Sequence, residues 1–235
     1  VVTKSLNLRI KADALGIYAE DYEFSATDDN LYCGHEEVEV DPTVLQEFNK
    51  NRRYRFEDRQ FLPNEYIMLR VAGSEAAPVV GRITGKEGRD LVPIHNCGDG
   101  ILGICPLNDE QACALDALLD DDIKLVSLMG KAGTGKTLLA VAAGLQKVLR
   151  EEMASRLLIS RPTIPMGRDI GFIPGDIEEK MRPWMQPLYD AVEMIMELDR
   201  RGRSRFLPAD LMESTDIAIE PLSYIRGRSI PRQFM

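Results

Sequence analysis

The sequence predicts an α/β fold, with a parallel sheet in the second half of the chain and a small β-rich domain before it. From about 25 to 105, short apolar runs alternate with turn signals, which is typical of antiparallel strands. After Asn108, two continuous apolar runs at 125–129 and 157–160 flank a helical pattern. Strands buried on both faces have continuous apolar sequences, and strand, helix, strand is the repeating unit of a parallel sheet.

The overall composition is that of an ordinary globular protein. The 235 residues are 44% hydrophobic and 29% charged, which suffices for one large domain or two modest ones. Because the sequence contains no run of about eighteen apolar residues and no signal-like start, we expect neither a membrane span nor secretion. The net charge of −9 opposes binding of nucleic acid over the whole surface, so any such contact must be local.

The cysteines indicate a reducing cytoplasm rather than a disulfide scaffold, because the four of them lie in unrelated contexts. Cys33 and His35, together with His95 and Cys97, offer four potential zinc ligands. Each pair is separated by a single residue, which is not the spacing usual in zinc sites. Ordinary turn residues are therefore the favoured interpretation.

Residues 1–24 are predicted as a short unit with one helix. Leu8, Ala12 and Leu15 share one face of the helical pattern, and Gly16 ends it. A unit this short holds no core of its own, so it must pack on other residues.

Residues 25–105 are predicted as the β-rich domain, a small antiparallel sheet or barrel. A helix interrupts it at 42–50, with Thr43 as the predicted cap. The predicted strands are 67–71, 79–83 and 91–94.

Residues 106–235 are predicted as the α/β domain. Its first helix begins at Asn108 and ends at the acidic run 120–122, and its second helix extends from Gly135 to about Arg150. A third helix carries an apolar stripe that we interpret as core. The stripe consists of Trp184, Leu188, Val192, Ile195 and Met196.

The turn at 130–137 carries the strongest functional signal. It consists of Gly130, Lys131, Ala132, Gly133, Thr134, Gly135, Lys136 and Thr137. These residues fit the pattern G-x-x-x-x-G-K-[ST] at every fixed position. Glycines let backbone N–H groups fold around a phosphate, and the N-terminus of the following helix adds a positive end. The sequence therefore predicts binding of ATP or a close relative, with a plain flexible turn as the alternative.

Side chains in and near this turn have distinct predicted roles. Lys136 is expected to reach the β- and γ-phosphates, and the hydroxyl of Thr137 to hold Mg²⁺. Leu138 follows directly and is assigned to the nucleotide site with the turn. Gln111, on the preceding helix, can pair through its amide with N6 and N7 of adenine. An exposed helix residue is the alternative for Gln111.

An irregular loop and several arginines supply further candidates. Residues 161–175 follow the second apolar run, and ligands of open α/β sheets gather at the C-terminal ends of strands, so position favours a functional loop over a surface excursion. Arg226 and Arg228 are predicted to face phosphate, because the strand they precede should run beside the strand before the turn. Two other basic clusters, 52–56 and 200–205, suit single-stranded nucleic acid or a solvated surface equally.

Taken together, these motifs resemble the PhoH family of P-loop ATPases. The resemblance is carried by the turn at 130–137, Arg161-Pro162, residues 166–176, Pro183-Trp184-Met185 and residues 224–229, with 108–111 resembling the adenine-reading element. It implies a helicase-like P-loop core with ATP and Mg²⁺ as cofactors. It also implies a homo-oligomer, which in some members is a hexameric ring.

Residues 2–12 look like the end of a PIN nuclease domain, as found in PIN–PhoH fusions. Such fusions are associated with ATP-dependent RNA unwinding and ribonuclease activity, so RNA is the implied partner. Ser5 stands where PIN domains commonly place a metal-binding aspartate, so nuclease activity is not expected of this chain. Since the chain starts at Val1, and the family's acidic Walker B strand is expected after Phe234, we expect a piece of a longer protein with a truncated parallel sheet.

The function expected from this resemblance is ATP hydrolysis that moves or remodels RNA. Water would attack the γ-phosphate in line while Lys136 and Mg²⁺ stabilise the charge, with Arg161, Arg226 and Arg228 as candidates for charge stabilisation or coupling. A nucleotide-gated binding module, in which ATP orders residues 161–176 for a partner, is the alternative. A small-molecule kinase is disfavoured because no arginine-rich lid is evident after the second strand.

Overall fold

A computed structural model describes residues 3, 6–20, 32–94, 100–162, 177–202, 216–225 and 227–235. The chain divides into two compact units, Val1–His35 and Glu36–Met235. The predicted α/β class is confirmed by the order of helices and strands. The predicted domain boundaries near 24 and 105 stay predictions.

The first unit contains helix α1 (Leu6–Ala14) and the turn that ends it. Gly16 adopts φ 69°, and the N–H of Ile17 donates to the carbonyl oxygen of Ala12 at 2.9 Å, so this glycine ends the helix as predicted. The predicted apolar face is wrong, because Ala12 is buried while Leu8 and Leu15 are exposed. The first unit is short and provides too few residues to cover one whole face of this nine-residue helix.

A five-stranded sheet occupies the first part of the second unit. Its strands are β1 (His35–Val40), β2 (Tyr54–Arg55), β3 (Tyr66–Val71), β4 (Val79–Thr84) and β5 (Asp90–Pro93). They lie in the order β1-β3-β4-β5-β2, and the pairs β3 with β4, β4 with β5 and β2 with β5 are antiparallel. The predicted antiparallel sheet is therefore confirmed.

Helix α2 (Pro42–Asn51) packs on one face of this sheet through Phe48. Phe48 belongs to a buried cluster with Ile67 and Ile83, and strand alternation places their neighbours Tyr66 and Arg82 on the opposite face. The predicted cap is wrong. Asp41 is the N-cap, because Pro42 occupies the first helical turn, where its fixed φ and missing N–H suit the start of a helix.

The rest of the second unit is a three-stranded parallel sheet with helices. Its elements are α3 (Asp109–Leu119), α4 (Lys136–Leu149), β6 (Arg156–Arg161), α5 (Ile177–Gly202), β7 (Ile217–Pro221), α6 (Leu222–Ile225) and β8 (Gln233–Phe234). The strands lie in the order β7-β6-β8, and β6 pairs in parallel with both neighbours. The three predicted helices and the predicted strand at 157–160 are confirmed.

Apolar clusters cover both faces of this sheet. Leu157 and Ile159 of β6 pack against α4 and α5, while Leu158 packs on the other side with Ala218 and Ile225. The stripe of α5 is core as predicted at Leu188, Val192, Ile195 and Met196, and the Trp184 side chain lies outside the described part. None of the helices that the structure describes is long and apolar enough to cross a membrane.

The apolar run 125–129 is not a strand, contrary to prediction. Val126 and Leu128 pack partly against the core, whereas Leu125 is 88% exposed and Met129 is 78% exposed. An apolar segment is buried as a strand only when neighbouring strands pair with it and helices cover both faces of the sheet. In the described part of the chain, no strand pairs with residues 125–129. The strand that follows Arg228 lies beside β6 instead.

Candidate functional site

The glycine-rich turn leads directly into the N-terminus of α4. Gly133 and Gly135 both adopt φ 80°, a conformation that favours glycine, and Gly135 is the N-cap of α4. The first N–H groups of any helix lack partners within the helix and carry a partial positive charge. The exposed turn together with this helix start therefore forms a cradle for an anion.

The ammonium group of Lys136 lies inside the turn. Its Nζ is 3.0 Å from the carbonyl oxygen of Gly130, 2.6 Å from that of Lys131 and 3.2 Å from Oγ1 of Thr134. Thr134 Oγ1 in turn donates to the Lys131 carbonyl oxygen at 2.9 Å. An ammonium has three donors, so the turn itself holds the charge of Lys136 in its middle.

The residues around Lys136 also fit a magnesium nucleotide. Mg²⁺ keeps several waters and binds phosphate oxygens together with a few protein ligands, and the hydroxyl of exposed Thr137 is available as one of these. The described residues contain no group of three histidine, cysteine or acidic side chains that could hold a metal by themselves. Ala132 is exposed in the turn, and Leu138 is half-buried against the core.

Helix α3 brings Gln111 to the rim of the turn. Its Nε2 donates to the carbonyl oxygen of Thr134 at 3.4 Å, and its Oε1 accepts from the N–H of Leu107 at 2.7 Å. Asn108, the N-cap of α3, accepts the backbone N–H of Gln111 at 2.9 Å through Oδ1. The sequence analysis does not predict that Asn108 orients the backbone of Gln111, although an asparagine directly before a helical pattern is a capping signal.

Comparison with known proteins identifies the family. Residues 103–235 match the protein family described as PhoH-like protein. The chain belongs to this family. It is a family of P-loop nucleoside triphosphatases, so the expected family resemblance is confirmed.

Some PhoH relatives match along the whole chain, and others match along part of it. Protein PhoH2 of Bacillus subtilis (strain 168) is 38% identical over 240 residues, which cover 100% of this chain and 53% of the relative. Protein PhoH2 of Thermobispora bispora is 32% identical over 243 residues, which cover 51% of it. The PhoH-like protein of Synechocystis sp. is 40% identical over 107 residues. The chain spans about half the length of the PhoH2 relatives.

The arginines assigned to this PhoH-like site lie apart from the turn in sequence. Arg161 is exposed at the end of β6. Arg228 forms an ion pair with Glu220 of β7 through Nη1, so its guanidinium is already engaged by a carboxylate. Arg226 and the loop 163–176 lie outside the described residues.

Part of the aromatic and basic cluster 52–56 is engaged within the fold. Phe56 is buried, and its ring packs edge to face with Tyr54 at 5.1 Å and Phe61 at 4.9 Å. Arg53 and Arg55 both pair with Asp90. The buried Phe56 ring therefore offers no face for stacking on a base, whereas nucleic-acid binding by the exposed arginines of this cluster stays a prediction.

The remaining sequence candidates lie partly outside the described residues. These are His95 and Cys97 of the potential zinc set, and Arg203 and Arg205 of the second basic cluster. Cys33, of the same potential zinc set, is exposed.

Proposed function

We propose that this PhoH-like chain binds ATP at the turn 130–137 and that the intact protein hydrolyses ATP to remodel RNA. The observation that carries the proposal is the position of Lys136, whose Nζ lies within 3.2 Å of three oxygens of the turn. The lysine charge therefore already lies within the turn that the sequence pattern assigns to phosphate binding. Gln111 at the rim offers one donor and one acceptor, which match N6 and N7 of adenine.

The proposed reaction is attack of water on the γ-phosphate in line with the leaving group. Lys136 would exchange its bonds to the turn for bonds to the phosphates and so neutralise their charge. The hydroxyl of Thr137 would hold Mg²⁺, which would supply positive charge to stabilise the phosphate oxygens. Arg161 is the last residue of β6, and Arg228 pairs with Glu220 near the C-terminal end of β7. Parallel sheets bind ligands at this edge, so with Arg226 they stay candidates for coupling.

The RNA substrate, the PIN–PhoH fusion type and the ring-shaped homo-oligomer are the finer parts of the proposal. They rest on the resemblance of residues 2–12 to the end of a PIN domain and on that of the second half to PhoH ATPases. The PhoH2 relatives extend to about twice the length of this chain, which leaves room in them for such an arrangement.

Nucleotide titration of Lys136→Ala tests the site, with exposed Lys124→Ala as the matched control. Because a hydrogen bond to a charged group contributes about 1.5–3 kcal/mol, we expect ATP affinity to fall about 10- to 100-fold in Lys136→Ala and to stay unchanged in the control. Equal affinity in both variants would rule out the proposed site. ATP turnover of the intact protein that rises with RNA at low salt supports remodelling. Binding without turnover favours a nucleotide-gated module.

A further inference from the structure

Two residues of the β-rich sheet converge on one buried carboxylate of α3. Tyr66 on β3 and Arg82 on β4 are direct cross-strand partners on one face of the sheet. Tyr66 Oη donates to Oδ2 of Asp116 at 2.8 Å, and Arg82 Nε lies 3.3 Å from the same oxygen. The sheet is therefore bonded to α3 through this carboxylate.

Arg82 also bonds Asp120, the residue that ends α3 one turn after Asp116. The three residues at the centre are almost fully buried, with exposed fractions of 1% for Asp116, 7% for Tyr66 and 8% for Arg82. Buried polar groups that lose alignment lose most of their bonding energy and are not rehydrated by water. The network therefore fixes both the rotation of α3 and its position along the helix axis.

The protonation states suit this arrangement. Burial, followed by the negative charge of Asp116, raises the pKa of Tyr66 far above its ordinary value of 10.0, so the phenol remains a donor at neutral pH. Burial lowers the pKa of Arg82, but its bond to Asp120 and the charge of Asp116 outweigh this and keep it a cation.

Gln111 lies on the same helix, five residues before Asp116, which is about 7.5 Å along the axis. Its bond to the Thr134 carbonyl oxygen is 3.4 Å long, near the limit for a hydrogen bond. A shift of α3 by a fraction of an ångström therefore breaks this contact. The carbonyl oxygens around Lys136 belong to Gly130 and Lys131, whereas Gln111 bonds the carbonyl oxygen of Thr134.

We propose that Tyr66, Arg82 and Asp116 are positioning residues that set the base selectivity of the nucleotide site. By holding α3 they hold Gln111 in register with N6 and N7 of adenine, whereas the triphosphate is bound independently by residues 130–137. The β-rich sheet thus contributes to choosing adenine over guanine without touching the nucleotide. This inference rests on the proposed function, and specifically on Gln111 as the adenine reader.

Tyr66→Phe tests the inference, because it removes one hydroxyl and keeps the ring. Affinities for ATP, GTP and inorganic tripolyphosphate are measured by titration, with Tyr54→Phe on edge strand β2 as the matched control. We expect ATP affinity to fall about 3- to 10-fold in Tyr66→Phe, the effect of one lost hydrogen bond, with GTP and tripolyphosphate unchanged. Gln111→Ala should give a similar loss, and adding Tyr66→Phe to it should cost nothing further.

Unchanged tripolyphosphate affinity shows that each variant is folded, and Arg82→Lys serves as a second variant that retains the charge but loses the planar contact. Equal loss of all three ligands, or additive effects of Tyr66→Phe and Gln111→Ala, would overturn the inference. Selectivity that is lost in Gln111→Ala but kept in both Tyr66→Phe and Arg82→Lys would also overturn it, while leaving the proposed function intact. If Gln111→Ala itself leaves the preference for ATP over GTP unchanged, or the chain has none, adenine reading fails and the inference fails with it.

Discussion

The ammonium nitrogen of Lys147 lies 2.7 Å from Oδ1 of Asp121, which joins the C-terminal half of α4 to the residues just after α3. A second carboxylate, that of Glu151, lies 2.9 Å from the same nitrogen. The Lys147 side chain is only 6% exposed, whereas that of Asp121 is 52% exposed. The buried ammonium of Lys147 therefore links α4, which follows the turn 130–137, to the end of α3, the helix that carries Gln111.

Lys147→Met removes this charge and keeps most of the buried stem. We expect the free energy of unfolding to fall by about 1–3 kcal/mol, less than for a wholly buried pair because both carboxylates remain partly hydrated. Urea unfolding at neutral pH measures the change. The control is Lys124→Met, since Lys124 is exposed, and its effect should stay within about 0.5 kcal/mol.

The stabilisation by Lys147 should depend on pH in a defined direction. Burial lowers the pKa of Lys147, but its bonds to Asp121 and Glu151 outweigh this and raise the pKa above the ordinary 10.5. A group whose pKa is raised by folding stabilises fully below its unfolded pKa and loses that contribution as pH rises through its folded pKa. The stability difference between the natural chain and Lys147→Met should therefore stay constant up to about pH 10 and shrink above it. A difference that grows with pH would contradict the assignment.

Gly144 on α4 marks a close approach between the helix and the parallel sheet. A Cβ at this position would lie 2.5 Å from Cδ1 of Leu157 and 3.0 Å from Cδ1 of Phe234. Gly144→Val should therefore lower the free energy of unfolding by about 1–3 kcal/mol through overpacking. Ala140→Val places the same side chain one turn earlier at a half-buried position and should cost less than about 1 kcal/mol. Equal losses in urea unfolding would show that the close approach to Leu157 and Phe234 does not decide the effect.

The parts of the fold that the sequence predicts correctly are those with local signals. The turn at 130–137 and helix α4 follow from glycines at fixed positions and from an apolar pattern within twenty residues. The cap of α2 shows a limit even at this scale. Thr43 is a good capping residue, but Pro42 fits only the first turn and moves the cap to Asp41.

Features that depend on distant residues could not be predicted. The run 125–129 has the composition of a buried strand, but burial depends on what pairs with it, and only Val126 and Leu128 face the core. Tyr66 and Asp116 are fifty positions apart and give no joint pattern in the sequence. Likewise the ion pairs of Arg53 and Arg55 depend on Asp90, which belongs to another strand, β5.

Cys113 is expected to be unreactive in the folded protein. It is buried on α3, and burial, followed by the charge of Asp116, raises the pKa of its thiol to about 12. Because only the thiolate reacts, iodoacetamide at pH 8 should modify exposed Cys33 and Cys105 at least about a hundredfold faster than Cys113. Mass spectrometry of the alkylated peptides over time measures the three rates. The rates should converge in urea, and equal rates without urea would show that α3 is not held against the core.

Asn108→Ala removes the cap of α3 and the acceptor that holds the backbone of Gln111. We expect the free energy of unfolding to fall by about 1 kcal/mol, the usual contribution of an N-cap side chain. Asn108→Ser retains an acceptor oxygen and should recover most of this loss, as urea unfolding can measure. In ATP titration the alanine variant should bind a few-fold more weakly while tripolyphosphate affinity stays unchanged, because the first turn of α3 orients the amide but not the phosphate cradle. If the serine variant loses as much stability as the alanine variant, the side chain of Asn108 does not act as a cap.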